Sequence, residues 1–268
     1  MFDLEMQDFH AGKMGRSASL IGDPARWALF LDIDGTLLDV APTPDAVSIP
    51  PGLVPTLERL VREFAGAVAL ITGRRVSAGD RLFAPLKLVT SGVHGTEVRA
   101  VAGGEQSMLV PPTPSGLVHE VSSVTRMSPG ILVEQKGAGL AVHYRNAPEA
   151  RMALETELGH IVNRWPAFEL RPGRKVLEVL PRGYSKGTAL AWQMRLPPFQ
   201  GRLPLMIGDD RGDEPALAAA VRLGGIGLTV AGEHFGSSAA DFDDAASVRA
   251  WLSMLTGKLE RQRGARQT

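Results

Sequence analysis

Asp32 and Asp34, one residue apart, close the apolar run Trp27 to Leu31 and are followed by Gly35-Thr36. An apolar run that ends abruptly in acid is the pattern of a central parallel strand leaving the core, with its C-terminal end opening into a ligand crevice. Asp and Gly are ordinary turn formers. Two like charges at the edge of an apolar core nevertheless repel and are poorly solvated, so one is driven neutral unless a cation or a reaction uses both. A divalent metal is the simplest such partner. A second apolar run, Ala67 to Ile71, ends in Thr72-Gly73-Arg74. There a hydroxyl and a backbone N–H can both donate to one phosphate oxygen. Lys186, within Gly183-Tyr-Ser-Lys-Gly187, stands at the expected opening of a helix. The helix dipole disfavours a cation at that end, and an anion between the two removes the conflict. A third apolar run, Leu203 to Ile207, leads into Gly208-Asp-Asp-Arg-Gly-Asp-Glu214. Asp209 falls at a strand tip, and Asp213 stands where either a helix cap or a metal ligand fits.

The elements that must position these groups follow from periodicity. Leu53, Leu57, Leu60, Val61 and Phe64 recur at helical spacing between the first two apolar runs, after the breakers Ala41-Pro-Thr-Pro-Asp45 and Pro50-Pro51 and before Gly66. Strand, helix and strand in about 45 residues make a right-handed βαβ unit. Leu86 to Val89 reads as a further strand, leading into a loop that carries His94 and Glu97 towards the crevice. Val98 to Val110 reads as a hairpin around Gly103-Gly104, and Pro111-Pro112-Thr113-Pro114 marks a boundary. After Lys186 come a helix from Thr188 to Arg195, the Leu203 strand, a helix from Pro215 to Arg222, a strand over Gly227 to Val230 and a closing helix from Ala245 to Leu255. The tail from Lys258 is expected to fray, and residues 1–25 to form a poorly ordered extension.

Between 113 and 181 the pattern changes to two-layer α+β: helices over Leu117 to Val124 and Pro148 to Trp165, strands over Ile131 to Lys136, Leu140 to Arg145, Phe168 to Arg171 and Lys175 to Leu180. A two-residue turn at Ala138-Gly139 places His143 opposite Glu134, with Lys136 and Arg145 on the same face. Arg174 and Glu178 share a face of the last strand by the same parity. The chain therefore reads as an α/β protein: a doubly wound, mainly parallel, Rossmann-like sheet core (26–112 and 182–268) interrupted by a smaller inserted α+β cap domain (113–181).

Composition narrows the partners. Twenty-nine basic and 29 acidic residues balance to a formal net charge of zero, so no global field recruits nucleic acid or an anionic membrane. Cysteine is absent, which removes disulfides, thiolate metal sites and cysteine nucleophiles together. The first 25 residues hold no apolar stretch of signal-peptide kind, and no run reaches the ~20 apolar residues of a membrane span. The expectation is a cytoplasmic monomer acting on a small molecule, with no nucleic-acid or membrane partner.

Taken in order, Asp32-x-Asp34, Thr72, Lys186 and Asp209 with Asp213 resemble the four signatures of the haloacid dehalogenase superfamily. Ser91-Gly-Val-His-Gly-Thr-Glu97, Val133-Glu-Gln-Lys136, Leu140-Ala-Val-His-Tyr-Arg145 and Val176-Leu-Glu-Val179 extend the resemblance to the trehalose-6-phosphate phosphatases, over residues 28 to about 230. One departure is Gly212, where that family usually has Thr. The resemblance implies a hydrolase of trehalose biosynthesis. Its catalytic residues would be Asp32 as nucleophile, Asp34 as acid and base, and Thr72 and Lys186 as phosphoryl holders. Mg2+ would lie among Asp32, Asp34, Asp209 and Asp213. Substrate would be bound by Arg74, His94, Glu97, Glu134, Lys136, Arg145, Arg174 and Glu178. Phosphatases of other sugar phosphates, such as sucrose 6-phosphate, and a catalytically silent sugar-phosphate sensor remain alternatives.

Overall fold

The computed structural model describes residues 21–41 and 46–267. Eleven strands among them form two sheets. The larger contains β1 (Trp27–Leu31), β2 (Val68–Ile71), β3 (Val89–Gly92), β4 (Glu97–Arg99), β5 (Ser107–Met108), β10 (Leu203–Gly208) and β11 (Ile226–Thr229), in the order β11-β10-β1-β2-β3-β4-β5. The five strands from β11 to β3 run parallel, and β4 and β5 are antiparallel additions at one edge. The helices flanking the sheet are α1 (Leu53–Glu63), α2 (Val76–Leu82), α5 (Lys186–Gln193), α6 (Glu214–Arg222) and α7 (Ala245–Gln267); α1 packs on α7, and α5 on α6. β1 sits in the middle with Ala28 to Leu31 fully buried, as a strand covered on both faces must be. The reversal of winding direction beside β1 puts a crevice at its C-terminal end.

The smaller sheet is antiparallel, in the order β6 (Leu132–Gln135), β7 (Leu140–His143), β9 (Val176–Pro181), β8 (Phe168–Gly173), and is packed by α3 (Ser115–Ser122) and α4 (Arg151–Asn163). It has its own core, in which Leu117 and Val121 of α3 and Leu154, Leu158 and Ile161 of α4 meet Leu140, Val142, Leu177 and Val179 of the sheet. Helical residues four apart lie on one face, which is why these helices bury a single stripe.

Several boundaries differ from the sequence expectations, each for a local reason. The third strand is Val89–Gly92 rather than Leu86 to Val89; its polar residues are buried because Thr90 donates to the Leu88 carbonyl and Ser91 accepts from Gln193. The turn between β6 and β7 is Gly137-Ala138, closed by Lys136 N–H donating to Gly139 O at 2.8 Å. Gly137 takes φ +76°, a region that favours glycine. Glu134 therefore pairs with Ala141, and His143 with Leu132. The register shifts by two residues and parity is unchanged. The β8–β9 turn is Arg174-Lys175, since Gly173 pairs with Val176, so Arg174 lies in the turn and not on the last strand. Pro172 is tolerated within β8 because β8 is an edge strand.

The last helix does not stop near Leu255. Leu259 is buried and Arg263 pairs with Glu63 at 2.9 Å, so α7 runs on to Gln267. Within the expected N-terminal extension, Ile21 belongs to the large core and Pro24–Arg26 form a 3-10 turn; residues 1–20 lie outside the described residues, as do the breakers at 42–45. No helix among the described residues is long and apolar enough to cross a membrane.

Candidate active site

The crevice at the strand ends has a volume of about 1260 Å³ and is walled by both sheets. Asp32 enters it from the tip of β1, Thr72 from the tip of β2, Asp209 from the end of β10 and Lys186 from the first turn of α5. Parallel strands in register bring these tips together although they are up to 177 residues apart in sequence. Ser185 accepts from Thr188 N–H and caps α5, fixing the helix start that carries Lys186.

Lys186 Nζ donates to Asp32 Oδ1 and to Asp213 Oδ1, both at 2.7 Å, and is 5% exposed. Burial alone would strip its proton, but Asp213 and Asp32 outweigh burial and raise the ammonium well above its ordinary range. Asp213 Oδ2 accepts from the backbone N–H groups of Asp209 (3.2 Å) and Asp210 (3.1 Å). Both oxygens of Asp213 are thus engaged by the protein, and this residue braces Lys186 and the β10 loop. Thr36 donates to Asp209 Oδ1 at 3.2 Å. Carboxylate oxygens of Asp32, Asp209 and Asp213 lie within 4.8 Å of one another. Burial, then the charge of Asp213, raise the Asp32 carboxyl well above its usual range despite Lys186. The same two causes push Asp209 up to about 7. One ammonium is too little charge for three buried carboxylates. A hard divalent cation with oxygen ligands fits the donor set and the deficit.

Around this floor Arg74 grips Asp34 through two hydrogen bonds, Nε to Oδ2 and Nη2 to Oδ1, both 2.6 Å. Arg74 N–H donates to Thr72 Oγ1 at 3.1 Å. On the opposite wall Glu178, 8% exposed, lies 2.7 Å from His94 Nε2 and 3.4 Å from Lys136 Nζ. Glu134 lies 3.9 Å from Lys136 and 3.0 Å from His143. The shift in register left Glu134 and His143 on one face, where they meet diagonally. Arg145 stands exposed at the rim. Glu97 alone of the expected substrate residues lies outside the crevice lining: it is 2% exposed beneath it, holding Val76 N–H at 2.6 Å and Arg75 at 3.2 Å.

Sequence reasoning did not single out three contributors. Thr36 meets Asp209, Arg75 lines the crevice above Glu97, and Glu233 lies 3.5 Å from Arg174, which in turn is 3.6 Å from Asp209. Thr36 could have been found from its place directly after the Asp-x-Asp-Gly run. Glu233, in the loop after β11, carries no local signal.

A mainly parallel doubly wound sheet with a smaller sheet facing its strand ends is the architecture of the haloacid dehalogenase fold. The chain belongs to the trehalose-phosphatase family, whose sequence profile matches residues 30–241, and the named members of that family are enzymes. It is 40% identical over 214 residues to the "Probable trehalose-phosphate phosphatase" of Sinorhizobium fredii, covering 80% of this chain and 81% of that protein. It is 37% identical over 245 residues to the "Trehalose-6-phosphate phosphatase" of Escherichia coli, covering 89% and 90%. Among solved structures, the C-terminal domain of the C. albicans trehalose-6-phosphate phosphatase superposes with a TM-score of 0.77 over 90% of this chain and 97% of its own. At 20% identity this likeness carries the fold.

Proposed function

We propose that the protein hydrolyses trehalose 6-phosphate to trehalose and phosphate, as a step of trehalose synthesis, through a phosphoryl group carried on Asp32. The observation that supports this most directly is Lys186 bonded to Asp32 at the floor of a crevice whose other wall bears Glu134, Lys136, Glu178 and Arg174. Lys186 engages Oδ1 of Asp32, so Oδ2 is the oxygen offered to phosphorus. As that bond forms, the bond from phosphorus to the sugar oxygen breaks and Asp34 protonates the leaving oxygen. Water then attacks the acyl phosphate, Asp34 takes its proton, and Asp32 is released. Thr72 and Lys186 hold the phosphoryl oxygens through both halves, a task of positioning and charge. Asp32, Asp209 and the Asp34 carbonyl would hold Mg2+, which would neutralise charge on the phosphate, with Asp213 acting at one remove through Lys186 and the β10 loop.

Residues 113–181 serve as the substrate cap, and 26–112 with 182–268 as the catalytic core. Glu134, Lys136, Glu178, Arg145 and Arg174 offer the mixed donors and acceptors that a disaccharide phosphate with one dianion and many hydroxyls requires. The partner is a small sugar phosphate, met by a monomer in the cytoplasm.

The test is phosphate release from trehalose 6-phosphate with and without Mg2+, beside glucose 6-phosphate and sucrose 6-phosphate, with Asp32→Asn as blank. Metal-dependent preference for the trehalose ester supports the whole reading. Equal rates on all three overturn the cap assignment. Tight binding with no release identifies a sensor.

A further inference from the structure

Arg74 stands out among the cations of the crevice because two arms of its guanidinium meet the two oxygens of one carboxylate. The two 2.6 Å bonds engage both oxygens of Asp34, and the backbone of Arg74 is itself pinned by Thr72 Oγ1. The arginine side chain is 12% exposed and that of Asp34 39%, so the buried cation presents the acid to the open crevice. Burial works against the guanidinium charge, but Asp34, then Asp32 and Glu134, raise it above its ordinary range. A guanidinium fork matches a carboxylate because each oxygen accepts one N–H. A protonated carboxyl has turned one oxygen into a donor and fits that fork poorly. The arrangement therefore fixes the plane of the Asp34 carboxylate at the open side of the crevice.

We propose that Arg74 is a positioning residue for the second half-reaction, holding the Asp34 carboxylate in the plane in which it takes the proton of the water that attacks phospho-Asp32. In that step the water oxygen bonds to phosphorus, the bond from phosphorus to Asp32 breaks, and the water proton passes to Asp34. This inference rests on the phospho-Asp32 reading above and adds a division of labour between its two halves. Losing Arg74 slows breakdown of the acyl phosphate more than its formation from an ester whose leaving group needs no proton.

The experiment is rapid mixing of the Mg2+-loaded full chain with p-nitrophenyl phosphate, whose aryl oxygen leaves without needing a proton. Arg74→Gln, and Arg74→Lys as the variant that keeps the charge, are expected to release close to one nitrophenolate per enzyme in a burst. A steady state about tenfold to a hundredfold below wild type follows, up to the lower end of general-base effects because Asp34 itself is kept, with the lysine variant the less affected. Acid quenching during the steady state traps the phosphoenzyme. A raised KM at unchanged kcat would overturn the proposal and make Arg74 a substrate contact only. Equal slowing of both phases without a burst would also overturn it, leaving a structural role. Failure of the phospho-Asp32 reading is seen separately, as turnover that survives Asp32→Asn.

Discussion

Nε2 of His94, in the loop after β3, lies 2.7 Å from Oε2 of Glu178 on β9, so a buried imidazole of the large domain meets a buried carboxylate of the small one across the crevice. His94 takes φ +56°, a left-handed conformation that costs a non-glycine residue on the order of 1 kcal/mol. Its ring is set where the contact needs it.

The first prediction concerns this contact. Burial raises the Glu178 pKa, and the charges of His94 and then Lys136 overcome it, holding the carboxyl well below the usual carboxylate range. A depressed carboxyl contributes stability above its unfolded pKa, roughly 4.3, that is lost as pH falls below it. Glu178→Gln should cost roughly 3 kcal/mol at pH 7, as expected when one partner of a buried pair is removed. Urea unfolding of wild type and variant at pH 7 and below pH 4 checks this. The gap should narrow in acid, and a gap that stays constant with pH would refute the assignment.

The second concerns the metal. With its carboxyl pushed up to about 7 by burial and then by Asp213, Asp209 of the metal-free protein still carries a proton near neutrality. The folded state thus binds more protons than the unfolded chain between roughly pH 4 and 7, and metal-free stability falls as pH rises through that window. Mg2+ must displace the same proton, so its affinity should climb as pH rises through about 7. Calorimetric titration of metal into the apoprotein at about pH 5.5, 7 and 8.5, below, at and above the folded-state titration, measures it. Affinity independent of pH would remove Asp209 from the ligand set.

The third separates two glycines of the site. A Cβ on Gly35 would lie 2.0 Å from Oδ2 of Asp209, at φ +87°. Gly35→Ala should therefore displace Asp209 and cut kcat by about 100-fold or more, as expected for misplaced catalytic groups. A Cβ on Gly212 meets only His94 Cε1, at 3.9 Å, which is ordinary contact. Gly212→Ala should fold and turn over normally and gain about 0.5 kcal/mol from the less flexible unfolded chain. Paired melting curves and steady-state rates decide both. Loss of activity in Gly212→Ala would show that the loop needs backbone freedom there.

How far the site could be read in advance depended on where each residue sits. Asp32, Thr72 and Asp209 were legible because an apolar run ending in a polar residue marks a strand tip, and parallel strands gather their tips at one edge. The turn before Leu140 lies one residue earlier than expected, which moves the register by two, because Gly137-Ala138-Gly139 offers two turn frames with the same parity. The left-handed φ of Gly137 chooses between them. Strand β3 was shifted because Thr90, Ser91 and Gly92 read as loop. Only tertiary hydrogen bonds, such as Gln193 to Ser91, make their burial tolerable. Arg174 reaches Asp209 and Glu233 across a domain boundary that no local pattern encodes.

Glu97 gives the last prediction, because its loop suggested substrate contact and its position indicates support. Its Oε2 accepts from Val76 N–H at 2.6 Å, and its Oε1 from Gln106 at 2.8 Å and Arg75 at 3.2 Å. Val76 opens α2, so the carboxylate faces the positive end of a short helix as well as a guanidinium. Arg75, held in this way, reaches the crevice and passes beside the β6–β7 turn, since a Cβ on Gly137 would lie 3.9 Å from its Nη2. Glu97→Gln turns one acceptor into a donor facing a donor and should cost about 1–3 kcal/mol of stability. KM for trehalose 6-phosphate should stay within about twofold, a surface-scale effect of under 0.5 kcal/mol. Lys136→Ala is the contrast: its ammonium lies in the crevice against Glu178 and Glu134. It should raise KM by about tenfold or more, the size of a lost charged hydrogen bond to substrate. Chemical denaturation and steady-state kinetics on both variants separate the roles, and a raised KM at unchanged stability in Glu97→Gln would return Glu97 to the substrate site.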